Sequence, residues 1–443
     1  MRTSKITACL LALVMALLVA PAAKAQVTGL YYKEVEKDGR IYIFNTPERF
    51  KSFTASGGDM GTSVMLVNRG PNGETLVAEN ETAMDLYLFK HNLEAYERPT
   101  PKPASSGAAP YPATKIGGRV FADFSDKENK DKGKTGGAAK SSDSGVGVDV
   151  KRFYFTVNHD FDATWSAQFQ SDIGDQGARR YDVFVKKAFI QAKLAPEAIF
   201  RLGSADTAWV PFVEGLYGYR YVETVITDHL SFGTSADWGL HFLGKAANDM
   251  IGYQISAENG KGYSNPTRTK TVDFEGRISF EPIKGFTLAA GGYTGKRGND
   301  TDAVPALHTA QRTDALISYV DDHFRVGGEW FEAKNWNNVT TVATDKADGY
   351  SIWASFAATP TLSIFGRYDS AKPSKNLKPA LEFTYYNAGL QFRLNKALAT
   401  SIVYKMADVK GGTLGTSNGT IGSAVAGQKG EYNEIGLFAL YDF

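Results

Sequence analysis

Cysteine is nearly absent from this chain. Its single copy, Cys9, lies in a stretch laid out like a secretory leader: Arg2 and Lys5, an apolar run from Ala8 to Ala22, then the small-x-small triplet Ala23-Lys24-Ala25 ahead of Gln26. Cleavage after residue 25 predicts an exported protein beginning at Gln26 and free of thiols, which excludes disulfides and thiolate catalysis. Cys9 stands at the start of the apolar run instead of following it, so it makes no lipidation box. An excess of one charge sign is missing too: 49 Lys and Arg stand against 48 Asp and Glu. A nucleic-acid partner is therefore not implied. No run of 18 or more apolar residues follows the leader, so no spanning helix is expected. Such a chain enters a membrane only as a closed barrel, where every backbone polar group finds a partner.

What is present is glycine, 45 residues, and Tyr plus Phe, 22 and 27 residues. These are unevenly placed. Residues 26–98 read as a small α/β module. Leu30 to Val35 and Arg40 to Phe44 are strand-like on either side of the turn Lys37-Asp38-Gly39. Thr46-Pro47 opens a short helix through Phe53, and a second helix is expected from about Glu81 to Asn92. Residues 99–114 then carry five prolines, an extended linker.

From residue 115 to 443 the pattern changes to segments of about ten residues with alternating polarity. Sixteen are legible, from about 115–124 and 148–158 through 236–246 to 431–443. Phe153, Phe155 and Val157 alternate with Arg152, Tyr154 and Thr156, and Val272, Phe274, Ile278 and Phe280 alternate with Asp273, Glu275, Arg277 and Ser279. Connections alternate as well, short turns such as Ala195-Pro196 and Thr359-Pro360 with long polar loops. A propeller lacks this parity, and no blade-length repeat occurs. The expectation is an all-β, 16-stranded antiparallel transmembrane β-barrel in a bacterial outer membrane, with the small N-terminal α/β domain in the periplasm.

A barrel of sixteen strands encloses a water-filled bore. The connection at 207–235, with Trp209, Phe212, Tyr217, Tyr219 and Tyr221 among its residues, is too apolar for a solvent loop. It is expected to fold inward as a constriction offering Glu214, Tyr219, Arg220 and Glu223. The strand registers also aim Arg152, Lys187 and Arg201, with Arg179 and Arg180 as further candidates, at the water side, facing an acidic wall with Asp237, Glu258, Asp273 and Glu275. The segments 152–161, 184–194, the loop itself and Phe232-Gly233-Thr234-Ser235-Ala236-Asp237-Trp238-Gly239 resemble the phosphate-selective porin O/P family of outer-membrane channels. The resemblance spans roughly residues 115–443. It implies a homotrimer with a constriction loop at 207–235. Phosphate-selective members carry clustered Lys and Arg, whereas this loop has Arg220 and no Lys. The reading is passive diffusion of small hydrophilic solutes or ions with weak anion preference, in a setting of outer-membrane lipid and lipopolysaccharide, without cofactor or metal.

The alternative is a receptor or adhesin whose external loops bind a partner. An enzyme is disfavoured. The six histidines have no metal spacing, no Gly-x-Ser-x-Gly elbow occurs, and no His/Ser pair is evident on one strand face, although His241 sits on an inward-looking strand.

Overall fold

The computed structural model describes residues 31–61, 63–94, 111–131, 144–175, 181–423 and 429–443. The expected leader, most of the Pro-rich linker, and Arg179 and Arg180 lie outside these residues. The chain divides into two compact units, Met1–Ser106 and Gly107–Phe443.

The first unit holds β1 (Lys33–Lys37), β2 (Arg40–Phe44), α1 (Pro47–Ala55), β3 (Val64–Leu66), β4 (Thr75–Ala78) and α2 (Glu81–Lys90). Asp38 and Gly39 both take positive φ, 53° and 71°, the two-residue turn whose twist matches a hairpin. Pro47 opens α1, where its missing N–H costs nothing. The Asn80 Oδ1 caps α2 by accepting from the Ala83 N–H at 2.8 Å. The sheet runs β1-β2-β4-β3, with β2 and β4 parallel. Ile43, Leu76, Ala83, Met84 and Tyr87 close its core. Neither β3 nor β4 was legible in the sequence, because three or four residues are too few to show a period.

On the edge of this unit Glu34 receives Tyr32, Lys90 at 2.9 Å and His91 at 2.8 Å. Burial pushes the Glu34 carboxyl up, but those donors outweigh it and hold it below the ordinary carboxylate range. A lowered carboxyl stabilises the fold above its unfolded pKa, and that contribution is lost as pH falls through the folded value. Glu34→Gln is therefore expected to lower the unit's melting temperature modestly at pH 7. The gap from wild type should close below about pH 4, near the free carboxyl's pKa; an equal gap at both pH values would sink this account.

The second unit is a closed barrel of sixteen antiparallel strands. They are β5 (Ala113–Asp131), β6 (Gly145–Asp160), β7 (Trp165–Asp175), β8 (Tyr181–Ala195), β9 (Ala198–Asp206), β10 (Ala236–Ala246), β11 (Ile251–Glu258), β12 (Asp273–Ile283), β13 (Phe286–Gly295), β14 (Ala310–Val320), β15 (Phe324–Lys334), β16 (Lys346–Thr359), β17 (Leu362–Lys372), β18 (Glu382–Arg393), β19 (Leu398–Lys410) and β22 (Lys429–Asp442). A small hairpin, β20 (Thr413–Thr416) with β21 (Gly419–Gly422), sits in the last connection; the sequence reading missed it. The sixteen expected segments coincide with these strands, because period-two alternation persists for their whole length.

Closure joins β22 to β5, with Leu437 opposite Phe124 and Tyr441 opposite Val120. The Arg119 guanidinium forks onto Asp442 at 2.5 and 3.0 Å. Gly118 and Phe443 exchange both backbone hydrogen bonds, 2.9 and 3.0 Å. The ladder thus has no free edge, the condition for a sheet to sit in hydrocarbon.

Each strand divides its side chains cleanly. On β14, Arg312, Asp314, Leu316 and Ser318 are buried inside, while Ile317 and Tyr319 are exposed outside. Aromatic pairs mark both ends of the outer face. Phe200–Phe242 (4.8 Å) and Phe324–Phe356 (5.1 Å) lie toward the short turns. Tyr350–Tyr368 (6.2 Å) and Tyr386–Tyr404 (6.4 Å) lie toward the long loops. Two aromatic belts around an apolar band suit a bilayer's two interfaces.

Candidate functional site

The long connection between β9 and β10, residues 207–235, runs inside the barrel. It forms α3 (Val210–Tyr217) and the single turn α4 (Ile226–His229). Pro211 suits the first turn of α3, and Gly218 ends it in the left-handed region at φ 80°. A side chain at Gly218 is excluded twice over, by that φ and by the Arg325 guanidinium 2.8 Å from where a Cβ would stand. Trp209, Val210, Val213, Tyr217, Val222, Val225 and Ile226 are essentially fully buried. Trp209 lies against the inner wall at Gly291, where a Cβ would approach its ring to 2.5 Å.

A loop buried this deeply must still satisfy its backbone carbonyls. Four arginines from the wall do so. Arg277 Nε donates to Ala208 O at 2.9 Å, and Arg312 Nη1 to Phe232 O at 2.5 Å. Arg325 Nη1 donates to Gly215 O at 3.0 Å and Leu216 O at 2.5 Å, and Arg367 Nη1 to Thr224 O at 2.5 Å. The Arg325 contacts place a cation on the last carbonyls of α3, where the helix dipole is negative. Glu329 completes the frame, accepting from the Trp209 indole at 3.1 Å and the Ile226 N–H at 3.3 Å.

The sequence-derived site residues fall into three situations. Arg220 and Glu214 pair with each other on the loop and line a cavity of about 440 Å³, with Lys187 and Arg119 on its walls. Tyr219 and Glu223 face the wall: Tyr219 stacks on Phe365 at 4.1 Å, and Glu223 lies 3.5 Å from Lys405. Glu223 also accepts from Ser417 and Asn418 at the tip of the β20–β21 hairpin, both at 2.7 Å. That hairpin tip fastens the loop from the opposite side. On the strands, Arg152 pairs with Asp172 at 3.0 Å, Lys187 with Asp206 at 2.6 Å, and Arg201 donates to Gln191 at 2.9 Å. Asp237 is fully buried and accepts three backbone N–H groups, from Trp238, Gly260 and Gly262.

Lys186 is the residue that the sequence reading passed over. Its ammonium lines the same cavity as Arg220 and is 6 % exposed. It donates to the Tyr154 hydroxyl at 3.1 Å and lies 4.5 Å from the Tyr154 ring centre. Among the described residues it makes no ion pair, unlike Lys187 beside it. Strict alternation sends only one of two adjacent lysines inward. An irregularity in the β7–β8 register between Gln170 and Ser171 lets both turn in, and periodicity alone does not reveal it.

The expected facing of basic and acidic walls is corrected by the strand order. The basic strands β5, β6, β8 and β9 adjoin the acidic strands β10 to β12 around the ring. Both cavities carry charges of both signs. Arg119, Lys186, Lys187 and Arg220 share the first with Asp206, Glu214 and Asp442, while Asp237, Glu258 and Glu275 line a second one, about 430 Å³ and near the long loops, with Lys261, Arg297 and Arg312.

The structure also places a His/Ser pair that the sequence did not suggest. His241 Nδ1 lies 2.9 Å from Ser256 Oγ on the neighbouring strand, and its Nε2 lies 3.4 Å from the Gly203 carbonyl. Both side chains are fully buried, and a carbonyl stands where a triad has a carboxylate.

No protein-family model matches the chain, and no curated protein matches it. Solved structures do. The anion-selective porin from Comamonas acidovorans superposes with a TM-score of 0.55 at 14% identity, over 75% of this chain and 99% of that one. The outer membrane channel DcaP of Acinetobacter baumannii gives 0.51 at 11% identity, over 74% and 97%. A loop L8 deletion mutant of OmpT from Vibrio cholerae gives 0.50 at 12% identity, over 75% and 99%. At these identities the likeness is one of fold: the chain has the closed barrel of outer-membrane porins.

Proposed function

We propose that this protein is an outer-membrane channel through which small hydrophilic solutes diffuse passively, with a preference for anions. The carrying observation is Lys186, a buried ammonium without an ion pair, opening on a cavity that it shares with Arg119, Lys187 and Arg220. Each of those three is already matched by a carboxylate, so the cavity's surplus positive charge is that of Lys186. A small anion passing there meets one unbalanced cation, which gives preference without a tight binding well. The loop at 207–235 is the constriction. Its accessible charges are Glu214 and Arg220, while Tyr219, Glu223 and the wall arginines hold it in place.

The likeness to an anion-selective porin points the same way. The resemblance to the phosphate-selective porin O/P family extends the reading to a homotrimer embedded among lipid and lipopolysaccharide. Residues 26–98 then stand in the periplasm on the 99–114 linker, after removal of residues 1–25. No catalytic step and no cofactor enter this mechanism, since a concentration gradient supplies the drive.

The test is the current through the purified protein in a planar bilayer under a KCl gradient. Steady openings with a reversal potential of the anion sign are expected. A folded, inserted barrel that stays silent would sink the channel and leave the receptor or adhesin reading in its place.

A further inference from the structure

The cavity near the long loops has a different character. It lies between the returning end of the constriction loop, at Ser231 and Gly233, and the inner faces of β10 to β14. Almost every charge around it is matched. Asp237 holds three backbone N–H groups. Glu275 accepts from Arg312 at 2.6 Å, and Arg312 also grips Asp314. Asp273 accepts from the Tyr293 hydroxyl and from the Lys296 N–H at 2.6 Å. Arg297 donates to the Trp336 carbonyl at 2.7 Å and lies over the Trp336 ring at 4.5 Å.

Glu258 and the exposed Lys261 are the exceptions among the described residues, and of the two only Glu258 is buried. It ends β11, is 2 % exposed and lines the cavity, yet among the described residues it makes no hydrogen bond or ion pair. Its Oε2 is buried without a partner. A carboxyl desolvated in this way either takes up a proton or is met by a cation. Neighbouring Asp237 and Glu275 deepen the negative potential at the same spot.

We propose that this cavity binds a small organic monocation, with a primary ammonium on Glu258 and the ligand's carbon chain in the remaining space. About 430 Å³ far exceeds the roughly 30 Å³ that a water-sized ion occupies. Calcium and magnesium ask for about six oxygens, and among the described residues no three His, Cys, Asp or Glu side chains converge on one point. Lys261 and Arg297 on the rim repel a second positive charge, which limits the ligand to one. The constriction would then have an ammonium-holding site toward the long loops and an anion-attracting one toward the short turns.

The test is calorimetric titration of the detergent-solubilised protein with butylammonium, a readout that requires no ion flow and so stands or falls apart from the channel reading. Saturable binding is expected, weakened about tenfold or more by Glu258→Gln, the loss typical of removing a charged hydrogen-bond partner. Lys261→Glu, on an exposed loop residue, is expected to tighten binding several-fold. Four results would each overturn the site: no saturable heat, equal binding of uncharged butanol, full displacement by an equal concentration of sodium, or unchanged affinity in both variants.

Discussion

Lys186→Glu is expected to reverse the sign of the reversal potential under a KCl gradient, from the proposed anion sign to the cation sign. The substitution removes the one cation of its cavity without an ion pair. It also places a carboxylate next to a loop whose Glu214 and Arg220 already cancel each other. The local balance therefore moves by two charges on the wall of that cavity, where ions are less screened than in bulk water. The neutral variant Lys186→Met should fall between the two and separates loss of a cation from gain of an anion. Because Arg220 lines the same cavity, the new glutamate has a cationic neighbour and the barrel should fold normally. Wild-type sign in both variants, with normal conductance, would remove Lys186 from the ion path. Arg220→Glu should shift preference in the same direction but by less, since it also breaks the pair that shapes the loop.

Arg367→Ala is expected to free the inward loop at 207–235. Arg367 and Asp369 are both buried to within 1 % and meet at 2.6 Å, and Arg367 also holds the Thr224 carbonyl. Removing one member of a buried pair costs about 3–5 kcal/mol. That cost falls on the loop's attachment, because the strand ladder through Arg367 rests on backbone bonds to Asn387 and Trp353 neighbours. The expected phenotype is a barrel that still inserts and still migrates as a folded species before boiling, but with larger and noisier openings. Arg367→Lys keeps the charge and loses the fork that grips both Asp369 oxygens, so it should rescue only in part. Quiet wild-type conductance in the alanine variant would show that the remaining contacts suffice to hold the loop.

The fold was legible where the physical signal was long. Strands of eight or more residues with one face in lipid write their alternation into every segment, as Ser166, Gln168 and Gln170 against Trp165, Ala167 and Phe169 illustrate. The β20–β21 hairpin and the three-residue β3 were too short to carry such a period. The inward loop was recognisable from its aromatics, since such a composition has no place in water. What held it was not. Arg277, Arg312, Arg325 and Arg367 each donate to a loop carbonyl, and backbone acceptors leave no trace in a sequence. Glu223 read as a bore charge for the same reason, although it meets Lys405 and the hairpin tip. Lys186 was hidden by a register irregularity, and the His241–Ser256 pair by a contact between strands that only the three-dimensional register defines.

The anchoring of the loop also dictates an order of events. Its partners, Arg277, Arg312, Arg325, Glu329, Arg367, Gln391 and Ser401, all follow residue 235 in the chain. Until β12 to β19 are in place, a segment containing Trp209, Phe212, Tyr217, Tyr219 and Tyr221 has only part of its apolar packing, against Phe121 and Tyr154, and lacks the wall donors for its carbonyls. Contacts this distant along the chain form late, and apolar segments awaiting them are prone to misassociate. The loop is thus the last part of the barrel to dock, and the bore is narrowed only once the wall is built.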